Sequence, residues 1–363
     1  MISSRLWNAV CALALTGSTG LLYAENLEFH RIYRSPYYLG RGDAGVATAD
    51  YQEAIFYNPA GLAQGKGLYK ETVLISPTIQ VSTKTKDLVR QVLVQEDNDP
   101  DTLRGYLGRN LHLGVSNFTG VVFRRAAVGV LASSDTNVML YKSPEARGLE
   151  TLHADAVANR VAVFSAAEGF FNQKLLVGAT AKYIMRNEAT LDVSALDSSN
   201  ISDQLGSNDA EISRNGIGLD LGLMYDMDKG PWRFGLHVEN VGSTKLSAGE
   251  SGASSKRLPQ IVTFGTAYDL TTKMSSLVLQ ADFRDVGGAV EKDTFKRLHL
   301  GSELQFARVF GFMGGLNQGY PTIGLFLNLY VVRFDIGAYT EEVGSTAGVR
   351  PDQRLFFRLK AGF

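Results

Sequence analysis

From Leu68 onward the chain repeats one motif: a stretch of alternating apolar and polar side chains, then a connection, then another such stretch. The connections themselves alternate in length. Long ones span 83–110, 141–154, 188–212, 246–257, 287–293 and 341–352, with a single short exception near Gln318 in that series. Short ones fall at Arg124-Arg125, Phe170–Asn172, Lys229-Gly230, Thr271–Lys273, Ala307 and Tyr330-Val331. Period-two alternation predicts strands, and the stretches number about fourteen. A soluble sandwich has no reason to keep such parity. A membrane barrel does, because its outer end carries loops and its periplasmic end carries tight turns. The expected fold is all-β, a transmembrane antiparallel β-barrel of about fourteen strands over residues 68–363.

Alternation also assigns the faces. Leu277, Leu279, Ala281 and Phe283 oppose Gln280, Asp282 and Arg284, while Leu298, Leu300, Leu304 and Phe306 oppose Arg297, His299, Glu303 and Gln305. Trp232, Phe234, Leu236 and Val238 oppose Arg233, His237 and Glu239. Lipid cannot solvate a charge, so the polar rows belong in the lumen. Arg160, Lys182, Arg186, Asp220, Arg333, Asp335, Arg358 and Lys360 join them on the same reading. Charges of both signs on neighbouring strands can pair laterally, stiffening the wall and anchoring a plug. Tyr225 and Trp232 flank a short turn, where an interfacial aromatic girdle would lie.

The rest of the composition mainly excludes. A net charge of -1 and a pI near 6.5 give no electrostatic footprint for nucleic acid. No stretch is long and apolar enough for a spanning helix, which leaves a barrel untouched as a possibility. Residues 1–24 read as a signal peptide, with Arg5, an apolar core over Leu6–Leu15, and a cut after Ala24. Cys11, the lone cysteine, falls inside that leader, so the mature chain has no disulfide framework and no thiol catalyst. Export with a barrel pattern places the chain in the outer membrane of a Gram-negative cell, in contact with its lipid.

Catalytic signatures are missing. His30, His112, His153, His237 and His299 form no metal-ligand spacing, and no nucleophile elbow or phosphate loop occurs. No enzyme activity, cofactor or metal is expected. His237 and Glu239 share a strand face and are expected to pair in the lumen. Arg41-Gly42-Asp43 reads as a turn whose two charges meet lumen residues. Two long connections have their own character: 86–108 suggests short helices over the outer mouth, and 188–212 a polar loop.

Ahead of the strands lies GRGDAGVATADYQEAIFYNPAGLA, residues 40–63, rich in small residues and weakly helical over Ala44–Ala54. Asn58-Pro59-Ala60-Gly61 suits a compact turn, with Pro59 at the second position and Gly61 at the fourth. The stretch resembles the N-terminal hatch of the FadL-type outer-membrane transporters of fatty acids and hydrocarbons, with PorV-type and TraF-like relatives. The resemblance implies a hatch over 25–67 plugging the lumen, with Ile55, Phe56, Tyr57 and Leu62 contacting a ligand beside the turn. It implies passive uptake of small hydrophobic molecules, bound outside, passed inward and released sideways through the wall. The alternative is a non-transporting barrel that anchors or presents secreted proteins, as in the PorV-like relatives; a barrel enzyme is a third. The ending Leu355, Phe357, Leu359, Ala361, Phe363 resembles the signal by which the barrel-assembly machinery recognises its clients.

Overall fold

The computed structural model describes residues 28–65, 67–85, 108–143, 149–194, 211–227, 230–249, 254–272, 274–307 and 309–363. The leader 1–24, Lys229, Lys273 and most of 83–110 and 188–212 lie outside the described residues.

A single antiparallel sheet closes on itself. Its strands are β1 (Tyr69–Ile75 and Thr78–Ser82), β2 (Asn110–Phe123), β3 (Ala126–Ser143), β4 (Leu149–Phe170), β5 (Leu175–Ser194), β6 (Glu211–Asp226) and β7 (Trp232–Glu239 and Thr244–Ala248). They continue with β8 (Lys256–Leu258 and Ile261–Thr271), β9 (Ser275–Phe283), β10 (Leu298–Phe306), β11 (Phe310–Asn317), β12 (Tyr320–Leu329), β13 (Val332–Glu342) and β14 (Pro351–Gly362). The seventeen hydrogen-bonded segments thus make fourteen crossings, three of them broken once. β14 pairs back onto both pieces of β1, with Val73 opposite Gly362 and Val81 opposite Leu355. Among the described residues no sheet edge is left for lipid to meet.

The breaks have local causes. Pro77 cannot donate to a ladder, and β1 splits there. Across the gap Asn117 Oδ1 accepts from the Ser76 amide at 2.9 Å, and the Thr119 hydroxyl donates to the Leu74 carbonyl at 2.9 Å. In β7 the break at 240–243 holds Asn240 and Ser243 at φ 55° and 64°, and the Asn240 amide donates to Asp220 at 2.8 Å.

Alternation sets the faces as the sequence implies. Leu279, Leu304, Leu325 and Phe357 are exposed on the outer surface, while Asp282, His299, Glu303 and Arg358 are buried inside. Phe123, Phe170, Tyr225, Trp232 and Phe310 stand exposed beside the short turns, which makes an aromatic girdle at that end.

Arg160 is a correction: it points outward, between buried Asn159 and Val161. It lies roughly ten residues along β4 from the short turn, about 25 Å up a tilted strand, where the apolar band ends. Beyond that level both faces meet water or headgroups, so charge no longer implies lumen. A second correction concerns length. β4 and β5 run for 22 and 20 residues, so the sheet absorbs much of the expected connections 141–154 and 188–212 and stands above the membrane.

The depth profile can be tested. Leu279→Arg, at the middle of β9, should cost roughly 2–4 kcal/mol in urea unfolding from liposomes, and Ala158→Arg, above Arg160, about 0–1. Equal losses at the two positions would contradict the placement of the band.

Candidate functional site: the plugged lumen

Residues 28–65 run inside the ring. An extended strap, 28–35, leads into a one-turn helix α1 (Pro36–Leu39), a run of turns, the helix α2 (Tyr51–Tyr57) and a 3-10 helix over Pro59–Ala63. Helix over Ala44–Ala54 does not form. Gly42 and Asp43 at φ 70° and 60° turn the chain left-handed, and helix begins only where the Asp50 carboxylate caps the Tyr51 amide. The Asn58–Gly61 turn closes with the Gly61 amide donating to the Asn58 carbonyl at 3.0 Å, and the Asn58 side chain caps Ala60. Gly61 is needed for space rather than for a positive φ, since a Cβ there would overlap the Ala49 carbonyl.

The second half of this segment is cemented by apolar packing. Ile55 and Leu62 are 0% exposed and belong to one core with Phe118, Val122, Leu131, Val161, Leu176, Ile184 and Met224 of the wall. Phe56 stacks against Tyr33 at 4.5 Å and meets Phe118 edge-on at 5.7 Å. The wall supplies glycines where the plug comes closest: a Cβ at Gly178 or Gly222 would overlap the Asn58–Ala60 turn. Those glycines escape a search for charges. Their signal is glycine at lumen-facing positions of a strand.

Charged ties hold the rest. Arg354 takes Glu28 in two parallel bonds of 2.7 and 2.6 Å, and His30 meets Asp155 at 2.5 Å. Arg34 donates to Glu341 at 2.7 Å, and Arg31 pairs with Asp43. The expectation for Arg41-Gly42-Asp43 holds for Arg41, which reaches Glu303 at 2.6 Å beside a Gly42 amide that donates to Thr322, whereas Asp43 is held mainly by Arg31, Arg34 and Tyr57 of the plug itself. Asp335 receives both Arg333 and Arg358, and Arg358 reaches across to Glu53 of the plug at 2.5 Å. Asp282 accepts the amides of Gly45 and Val46 at 2.7 and 2.9 Å.

Other expected lumen charges sit differently. Arg284 lies 4.0 Å from Asp43 and 3.8 Å from Glu239. Glu239 does not pair with His237, whose Nε2 has no partner among the described residues. Arg233 is held at the rim by Asp226 at 2.8 Å. Arg297 falls in a 3-10 turn ahead of β10 and donates to the carbonyls of Glu291 and Lys292, so it braces an outer loop rather than the lumen.

What space remains is unevenly distributed. Three voids of about 40, 20 and 30 Å³ surround strap residues 29–34, and Phe56 and Tyr57 border the first of them. Beyond the plug, at the short-turn end, a cavity of about 550 Å³ opens. The surface expected to contact ligand through Ile55 and Leu62 is thus committed to packing.

Burial alone would push the Asp43 carboxyl up, yet Arg31 and Arg34 hold it down at about 2. Glu53 is likewise lowered against its burial by Arg358 and Lys360. Depressed carboxylates stabilise the docked plug above their unfolded pKa of roughly 4, and that contribution disappears as pH falls through the folded value. Plug release, read as protease access to residues 28–65 in refolded protein, should rise between about pH 4 and pH 2. Asp43→Asn should flatten that rise, and an unchanged profile in the variant would count against the tie.

A family described as the F plasmid transfer operon TraF protein matches residues 151–284, less than half of the chain. No curated protein sequence matches it. Among solved structures, the CymD monoaromatic hydrocarbon channel is similar over 92% of this chain and 98% of its own, at 13% identity and a TM-score of 0.53. The toluene transporter TodX of Pseudomonas putida is similar over 90% and 96%, at 11% identity and a TM-score of 0.49. The chain therefore has the fold of the FadL-type outer-membrane barrels, with a TraF-like stretch running from β4 to the end of β9.

Proposed function

We propose that this chain is a hatch-gated outer-membrane channel for passive uptake of small hydrophobic molecules. One observation carries the reading: the plug is fastened in two unlike ways. Residues 51–63 supply most of the plug's share of the apolar core, whereas the strap adds only Ile32 and the flank of Tyr33 to it and is otherwise held by side-chain ties and flanked by three voids. Shifting the strap would join those voids while withdrawing only Ile32 from the core, and Ile32, Tyr33, Val46 and Phe56 would offer the apolar side of the passage. Similarity in fold to the CymD monoaromatic hydrocarbon channel supports the choice of cargo class.

A second reading has an observation of its own. Because Ile55 and Leu62 are spent on packing, the barrel also suits a non-transporting role, anchoring or presenting other proteins at the surface.

A reversible lock separates the two. The Ser133 hydroxyl donates to the Ile32 carbonyl at 3.1 Å, which sets residues 32 and 133 side by side, and Ile32→Cys with Ser133→Cys is the pair to tie strap to wall, its disulfide verified by mass spectrometry before uptake is read. Under the channel reading, uptake of a monoaromatic hydrocarbon by cells should fall at least tenfold on oxidation and return on reduction. Wild-type uptake no greater than that of a deletion strain would leave the presenting barrel as the better account.

A further inference from the structure

The 550 Å³ cavity is separate from the strap and has a composition of its own. It lies between the plug and strands β10, β12, β13, β14 and β1, and its volume falls within the range of small-molecule sites. Arg333 of β13 and Lys360 of β14 are directly opposite in the ladder. Like charges in that relation weaken a sheet, and here each is offset by a carboxylate of its own, Asp335 for Arg333 and Glu71 for Lys360.

Their partners leave hydrogen-bonding capacity unspent. Arg333 donates Nε and Nη2 to Asp335 at 3.0 and 2.9 Å, and Nη1 has no partner among the described residues. The guanidinium is fixed between the rings of Tyr37 and Phe326, 4.4 and 4.3 Å from their centroids. Lys360 gives one bond, 2.8 Å, to Glu71. Tyr51 also lines the cavity, with a half-exposed ring and a backbone φ of 52°, a conformation that aromatic residues rarely adopt and that often marks a ligand clamp.

We propose that this vestibule binds aromatic carboxylates of one or two rings. The carboxylate meets Arg333 Nη1 and the Lys360 ammonium, and the ring lies along Tyr51; Tyr37, with Arg41 and Arg333 over its ring at 4.1 and 4.4 Å, serves to hold the guanidinium in place. Cations and carboxylates around the cavity offset one another, Arg333 and Lys360 against Asp335 and Glu71 as Lys70 against Asp50 and Arg358 against Glu53, so a bare anion gains little there. The aromatic surface supplies the remaining selectivity. The site does not depend on the direction or existence of transport.

The test is calorimetric titration of the full chain, refolded in detergent micelles, with 2-naphthoate, benzoate, toluene and acetate. Saturable binding of 2-naphthoate is expected, with toluene and acetate at least tenfold weaker. Arg333→Gln should weaken 2-naphthoate tenfold or more. Tyr51→Gly should weaken it several-fold while keeping or raising the melting temperature, because glycine takes the positive φ freely. The proposal is overturned by absent 2-naphthoate binding, by wild-type affinity in both variants, or by acetate binding as tightly as 2-naphthoate. Binding in micelles is read without uptake, so failure of the channel reading would leave this result standing.

Discussion

Everything in this molecule follows from the cost of an unpaired peptide group in lipid. Each buried N–H or C=O without a partner costs several kcal/mol in hydrocarbon, so the sheet must close. Closure forces alternation, and alternation sends every second side chain into the lumen. Where the ladder breaks, side chains replace the missing backbone partners: Asn117 and Thr119 at the Pro77 kink, Asp220 at Asn240. Asp220 at the same time holds the Lys182 ammonium at 2.7 Å, so one carboxylate repairs the ladder and neutralises a lumen charge.

Closure also creates the need for a plug. Inward charges removed from bulk water must be matched, and a carboxylate such as Asp335 at 0% exposure persists only because two guanidiniums bracket it. The N-terminal segment completes these networks from within: Glu53 on Arg358, Arg41 on Glu303, backbone amides on Asp282. Its apolar half uses wall glycines to bring backbone against backbone. Barrel and plug are thus one folding problem, with the core shared between them.

The sequence was legible where a single physical rule decided the outcome. Leu279 against Asp282 follows from period two and lipid exclusion alone, and the fourteen crossings follow from the parity of the connections. Arg160 was misread because the rule linking charge to lumen holds only within the apolar band, and strand phase gives no depth. Arg297 was misread because alternation continued across a boundary where β10 had not yet begun. The plug was legible as a compact turn at Asn58–Gly61 but not as a core: nothing in local pattern says that Ile55 and Leu62 will meet Leu176 and Ile184, more than a hundred residues away. Gly178 and Gly222 were overlooked because absence of a side chain carries no chemistry until a partner surface is known.

A plug tied by charge raises a difficulty for any passage, since pulling it away would strand ions in the lumen at several kcal/mol each. The wall of this barrel answers that difficulty residue by residue. If Glu28 left, Arg354 would keep Asp352 at 2.7 Å; if Arg34 left, Glu341 would keep Asn317 and Gln318 at 3.2 and 3.0 Å. Arg186, which donates to the His30 carbonyl, also holds Asn159 at 2.8 Å, and Ser133 retains the Asn159 amide at 3.2 Å. On the plug side, Asp43 keeps Tyr57 at 2.6 Å. Arg354, Glu341, Arg186 and Ser133 each keep a second partner outside the strap, and Asp155, the wall partner of His30, is 23% exposed and would meet water instead. The same redundancy is not built around Ile55 and Leu62, whose removal would expose a core. A motion of residues 28–35 would take only Ile32 out of that core, and so costs less than one that moves residues 51–63.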